Sequence, residues 1–159
     1  MPRERLAEQV SAATYGTVLV LAAVPLIDVN DVTSGLGWEL VTGIGLATWV
    51  AHLFAEVLGE QLRHDVSMLD FAAIRVSMFD GLPILLAAVA PAVVLGLGRL
   101  GVLDESVALW MAFAVAFAQL ALVGAFVGRV LTGARRSLYA LGTALIGILV
   151  VGIKLILGH

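Results

Sequence analysis

The chain has 159 residues, 61% of them hydrophobic and only 13% charged, with a mean hydropathy of +1.06. Soluble domains carry about 25% charged residues, so too little polar surface is present to cover a water-soluble globule, and the sequence reads as an integral membrane protein. The absence of cysteine excludes disulfides, thiolate metal sites and a cysteine nucleophile, and a formal charge of −3 gives no case for nucleic-acid binding.

The amino-terminal stretch MPRERLAEQVSAATYGTVLVLAAVPLI mixes Arg3 and Arg5 with Glu4 and Glu8, then stays apolar for about a full span. No clear small-residue cleavage site interrupts it, so it is expected to be a transmembrane helix and not a signal peptide. A hydrocarbon core about 30 Å thick takes roughly 20 helical residues. Five apolar segments reach that length, near 8–27, 37–60, 81–99, 106–130 and 137–157. The expected fold is an all-α polytopic helical bundle of about five transmembrane helices, forming one transmembrane domain over 1–159.

Between the first and second spans, DVNDVTSG (28–35) carries turn formers and acids and is expected to be a loop. Between the second and third, HDVSMLDFAAIRVSMFD (64–80) is half apolar, broken by Asp70, Arg75 and Asp80. It is expected to be helical, either as an interfacial amphipathic helix or as an extension of the third span, with a kink near Gly81 and Pro83. RLGVLDE (99–105) and TGARR (132–136) separate the later spans, and Asp104 before ESVALW is placed to cap the fourth. Pro91 and Pro25 are expected to bend the third and first spans.

Basic residues set the orientation. With the amino terminus inside, Arg3, Arg5, Arg63, Arg75, Arg129, Arg135 and Arg136 are cytoplasmic, and only Arg99 and Lys154 are outside. That predicts N-in and, with an odd number of spans, C-out. No internal repeat is evident, which argues against an inverted-repeat transporter within one chain.

Lipid tails are as apolar as leucine, so small residues that let backbones approach are what bring membrane helices together. Ala112, Ala116, Gly124 and Gly128 form such a ridge on the fourth span, interrupted by Leu120. It serves either packing within the chain or the seam of a homo-oligomer.

The second span holds the unusual pattern. In WVAHLFAEVLGEQLRH (49–64), preceded by Thr48, the polar residues Thr48, His52, Glu56, Glu60 and His64 recur at every fourth position. Each step of four advances about 40° around a helix, so His52, Glu56 and Glu60 share a face about 80° wide. On an outside-to-inside helix, His52 lies just inward of the midplane, Glu56 deeper, and Glu60 near the cytoplasmic rim with Arg63 in reach. An ionised glutamate in hydrocarbon is costly, so such a residue faces protein or water, pairs, or holds a proton. Three readings follow. His52 and Glu56 pin the helix to a neighbour, with Gln119, Ser11, Thr14, Tyr15 or Thr17 as polar partners. They relay protons or cations. Or they bind a metal or haem; the pair supplies two ligands where three or four are needed, so a second subunit, Asp70 or Asp80 would supply the rest.

YGT at 15–17, WVAHLFAEVL at 49–58 and the final RRSLYALGTALIGILVVGIKLILGH resemble a loosely defined set of small uncharacterised bacterial integral membrane proteins. The resemblance covers most of the chain and implies a multi-pass protein of the bacterial inner membrane, with no assigned activity. A distant analogy is to bacterial relatives of the lysosomal potassium-channel family, which also open with Arg-Leu, a serine and a long apolar helix. Their Phe-Ser-Asp is absent here, where the serine stands in Val10-Ser11-Ala12, and their span count differs. No pore residue is carried over.

No nucleotide-binding loop or catalytic triad motif is present, and no cofactor is expected. The leading expectation is a small channel or transporter in the lipid bilayer, homo-oligomeric, moving protons or small cations along the ridge of the second span. The alternatives are a structural or regulatory membrane protein that binds a partner or lipid, and a metal- or haem-binding protein using His52 and Glu56.

Overall fold

A computed structural model describes residues 3–64 and 71–130, with Gly142, Leu145, Ile146, Leu149, Gly152 and Ile156. The described secondary structure is helical throughout: α1 (Arg3–Ala23), α2 (Val29–Ser34), α3 (Leu36–His64), α4 (Phe71–Asp80), α5 (Leu82–Arg99) and α6 (Glu105–Val130). Four stretches are long and apolar enough to cross a membrane: Leu6–Leu26, Leu36–Gly59, Leu82–Arg99 and Glu105–Arg129. They correspond to the first four expected spans. The expected fifth, 137–157, lies outside the described residues apart from the six positions named above, which are helical. Ile146 among them packs against the bundle core.

Local chemistry explains the helix ends. Proline cannot donate a backbone hydrogen bond, and at Pro25 α1 tightens into a 3-10 turn over Val24–Leu26. The 28–35 stretch, expected as a loop, instead forms α2. Asp28 Oδ1 accepts from the Asp31 backbone N–H at 3.0 Å, and Asp31 Oδ2 accepts from the Asp28 N–H at 3.0 Å. This reciprocal capping box satisfies two otherwise orphaned donors. Gly35, at φ +88°, ends the turn in the left-handed conformation that glycine adopts without strain. Val32 of α2 is buried, which ties this connection to the core. Asp104 caps α6 as expected, its Oδ1 accepting from Ser106 N–H at 3.0 Å and Val107 N–H at 3.2 Å.

Close backbone approaches set the register of the bundle. A Cβ added at Gly16 would stand 2.8 Å from the Ile84 Cα, so α1 meets α5 there. A Cβ at Gly45 would stand 2.5 Å from the Ala88 Cβ, and one at Gly96 would stand 3.3 Å from the Trp38 ring, so α3 runs antiparallel to α5. Gly98 lies against Ala108 and joins α5 to α6. The core is built on Val20, Leu21, Val41, Leu95, Ala108, Ala112 and Ala116. On α6 the small-residue ridge thus divides. Ala112 and Ala116 are fully buried within the chain, whereas Gly124 and Gly128 are only half-buried.

α3 is the peripheral helix. Only 11% of its membrane-length window is buried, against 39% for α1 and α5. Leu46, Val50 and Phe54 line one exposed face at helical spacing, which suits contact with acyl chains. Pro91 lies inside α5 and is buried there. Residues 71–80 form a helix of their own. Gly81 makes a turn between α4 and α5 with its backbone still in the right-handed helical region, and Pro83 sits in the first turn of α5, where its missing N–H is no loss.

Candidate functional site

The fourfold spacing on α3 brings His52 and Glu56 one above the other. His52 Nε2 lies 3.3 Å from Glu56 Oε1, with the two side chains 29% and 27% exposed. The contact sits inside the apolar window Leu36–Gly59, where a hydrogen-bonding group without a partner is expensive.

A groove lies between α1 and α3 alongside His52, with a volume of about 580 Å³. Ser11 and Tyr15 of α1 line it with Thr48 and His52 of α3, and alanines make up the rest of the wall. Two of the polar partners expected from the sequence, Ser11 and Tyr15, therefore do face the ridge. Alanines at 12, 47, 51 and 55 keep the groove open, because no longer side chain fills it.

α4 packs alongside α3. The turn at Gly81 places the end of α4 against Trp49 and His52: a Cβ at Gly81 would stand 3.1 Å from the Trp49 ring and 3.3 Å from His52 Cδ2. The Trp49 indole N–H donates to the Met78 carbonyl at 3.4 Å, which occupies one of the last carbonyls of α4 that the helix leaves open. Ser77 is buried, and its side chain acts on the Glu56 carboxylate as a hydrogen-bonding group. Oε2 of Glu56 is sealed from solvent and takes no hydrogen bond. Asp80 and Glu8 also act electrostatically on this carboxylate. Gln9 Nε2 donates to Asp80 Oδ1 at 3.4 Å, linking α1 to the end of α4.

No family model matches the chain, and no characterised protein or solved structure matches it.

The remaining residues expected at the site divide as follows. The Thr14 hydroxyl donates to the Val10 carbonyl at 2.8 Å, within its own helix. Thr17 does the same to Ala13 at 2.7 Å. Gln119 is half-buried on α6 with its Oε1 unbonded, and it is not among the groups that act on Glu56. The backbones of Glu60, Arg63 and His64 continue α3, but their side chains lie outside the described residues, as does Asp70. Among the described residues no group of three or more His, Asp or Glu side chains is placed to hold a metal ion.

Glu8, Gln9 and Ser77 were not legible as site residues. Asp80 was legible only as a supplementary metal ligand. The available signal was Ser77 and Asp80 at a helical spacing of three, just before a glycine and a proline.

The arrangement forms a polar cluster in which His52 faces the α1–α3 groove and contacts Glu56, and Asp80 and Glu8 act on that carboxylate. Imidazole has a donor and an acceptor nitrogen, so it can bind a proton at one and release one at the other. A carboxylate at 3.3 Å can take a proton from it and return one.

Proposed function

We propose that this protein is a small membrane channel or transporter that moves protons or small cations along the polar ridge of α3. The observation that carries this reading is the 3.3 Å His52–Glu56 contact. It lies within a membrane-length apolar segment, between a groove with hydroxyl groups on one side and acids on the other. A pair serving only to pin helices together would use up both carboxylate oxygens on neighbours, whereas Glu56 Oε2 stays unbonded.

The Arg75 end of the bundle is the cytoplasmic face in this reading, and the Arg99 end faces out, following the distribution of arginines. The groove then lies beside His52, inward of the midplane, and Glu8 stands towards the inner face. The membrane is the bacterial cytoplasmic membrane. The half-buried Gly124 and Gly128 on α6 offer a seam for a homo-oligomer.

Reconstitution in liposomes with an internal pH-sensitive dye, and in parallel a K⁺ flux assay, tests the proposal. Wild-type protein is expected to dissipate an imposed gradient faster than His52→Ala/Glu56→Gln. Flux no greater than that of the double variant would refute it.

A further inference from the structure

Thr14, Thr17 and Thr42 return their hydroxyls to carbonyls of their own helices, at 2.8, 2.7 and 2.8 Å. Ser11, Tyr15 and Thr48 make no such bond among the described residues, although they stand inside the apolar windows of α1 and α3. All three line the groove between those helices, together with His52. An unpaired hydroxyl in hydrocarbon is costly, and polar side chains at membrane depth face protein or water. We infer that this groove is a water-filled crevice, open to the membrane face beside Glu8 and Gln9, and that protons reach His52 through it. The hydration of the groove stands on its own geometry; its use as a proton route rests on the reading of the α3 ridge as a conduction path.

Contacts between helices fix the level of the groove. Gln9 of α1 donates to Asp80 at the end of α4, and the next residue, Gly81, lies against Trp49 and His52 of α3. Gln9, His52 and Asp80 are therefore level with one another, where the apolar window of α5 begins at Leu82. Glu8 is exposed beside Gln9. Gly16 then meets Ile84, so α1 runs parallel to α5 and antiparallel to α3. The groove rises from this polar belt, with Ser11 near His52 and Tyr15 near Thr48 about 6 Å further on. It ends close to the middle of the windows Leu6–Leu26 and Leu36–Gly59. Water thus enters among ionisable and amide side chains and reaches His52 without crossing an apolar barrier.

The walls suit water. The alanines leave a volume of about 580 Å³, many times the roughly 30 Å³ that a water takes in the liquid. An ordered water takes two to four polar partners, and Ser11, Tyr15, Thr48 and His52 supply them. An acyl chain would fill the space and leave all four unbonded. The ring of His52 has one edge on each side. Its Nε2 lies 3.3 Å from Glu56 Oε1, and its Cδ2 edge is turned to Gly81, where an added Cβ would stand 3.3 Å from it. Nδ1 is on the edge opposite Cδ2, so it faces away from Gly81, on the side of the groove. With Nε2–H directed at the carboxylate, Nδ1 is the acceptor nitrogen. A hydronium ion in the crevice gives its proton to Nδ1 as the Nε2 proton passes to the Glu56 carboxylate. Water, neutral imidazole and the carboxylic acid are left.

The chain contains no cysteine, so a single introduced thiol reports on its own surroundings. Ala47→Cys and Ala51→Cys place it in the crevice. Val50→Cys and Phe54→Cys place it on the exposed apolar face of the same part of α3. The full chain is labelled in right-side-out and inverted membrane vesicles with a membrane-impermeant cationic thiosulfonate, which reacts with the thiolate and so needs water at the sulfur. The two crevice thiols are expected to react at least about tenfold faster than the two on the apolar face, and only in inverted vesicles. Equal rates for all four would overturn the hydration of the groove. Reaction in right-side-out vesicles would overturn its opening beside Glu8 and Gln9. In liposomes, modification of Ala51→Cys is expected to lower its proton flux at least about tenfold relative to the same protein before labelling. Unchanged flux after complete modification would overturn the proton route and leave the crevice standing. A wild type with no flux above empty vesicles would overturn the route together with the reading of the ridge, while the labelling rates would still decide whether the groove holds water.

Discussion

Gly45 is the most exacting test of how the bundle is packed. A Cβ there would lie 2.5 Å from the Ala88 Cβ, whereas carbon atoms rest at about 3.5–4.0 Å. Gly45→Ala therefore forces α3 and α5 apart by about 1 Å or more at that level. Overpacking of this size costs about 1–3 kcal/mol. Alanine also favours the helix over glycine by up to about 1 kcal/mol, and that gain must be separated from the clash. Gly43 provides the control: it lies on the same helix, with no atom of the described residues within 4 Å of an added Cβ. Gly43→Ala carries the same intrinsic gain and no clash. The two variants should thus differ by about 1–3 kcal/mol, or about 5- to 150-fold in the folding equilibrium. Among the described residues, the only other atom within reach of the Gly45 position is the Ala88 Cα at 4.0 Å, so Ala88→Gly should relieve the clash. A double-mutant cycle over Gly45→Ala and Ala88→Gly, read by unfolding in detergent titrated with SDS, is expected to give a coupling of that same size. Coupling below about 0.5 kcal/mol would show that α3 and α5 do not meet in this register.

Other expectations follow from the same geometry. Asp104→Ala removes the acceptor for two backbone donors at the start of α6 and should destabilise the bundle by about 0.5–2 kcal/mol in the same titration; an unchanged midpoint would refute the cap. The Arg99–Glu39 pair at the opposite rim is 3.8 Å apart and about half exposed on each side. Glu39→Gln should therefore change stability by less than about 1 kcal/mol, and a larger loss would mean the pair is shielded from water. Purified protein should carry no stoichiometric metal that depends on His52, because His52 and Glu56 find no third ligand among the described residues. Elemental analysis showing one metal per chain, lost in His52→Ala, would favour the metal-binding alternative.

Four spans were legible because membrane-length apolarity is a strong and local signal. The boundaries also followed local rules, such as the Asp104 cap and the break at Pro25. The 28–35 stretch was misread for an instructive reason. Its turn formers were counted as loop chemistry, yet Asp28 and Asp31 at a spacing of three form a capping box, and Gly35 forms the matching stop. The same residue types terminate helices and make turns, and only their spacing separates the two. The division of the α6 ridge was not legible either. Ala112 and Gly124 carry the same small-residue pattern, and which of them is buried depends on where α1 and α5 cross α6.

The site shows where local periodicity stops being informative. His52 over Glu56 needed only the rise and twist of one helix, so the sequence was sufficient. Ser77 and Asp80 act on Glu56 because α4 packs alongside α3, and that is a fact about two helices meeting. Asp80 stands 24 positions along the chain from Glu56, and Glu8 stands 48 positions before it. No periodic pattern links positions that far apart. The physical need for such partners was nevertheless implicit in the ridge: a half-buried carboxylate inside an apolar span requires donors from elsewhere. Candidates for that role are polar residues at a span boundary beside a residue that turns the chain. Ser77-Met78-Phe79-Asp80-Gly81 fits that description. The argument that placed His52 and Glu56 on one face thus also specified what had to be brought to them, and Gly81, which has no side chain to hold α4 away from Trp49 and His52, lets the chain bring it.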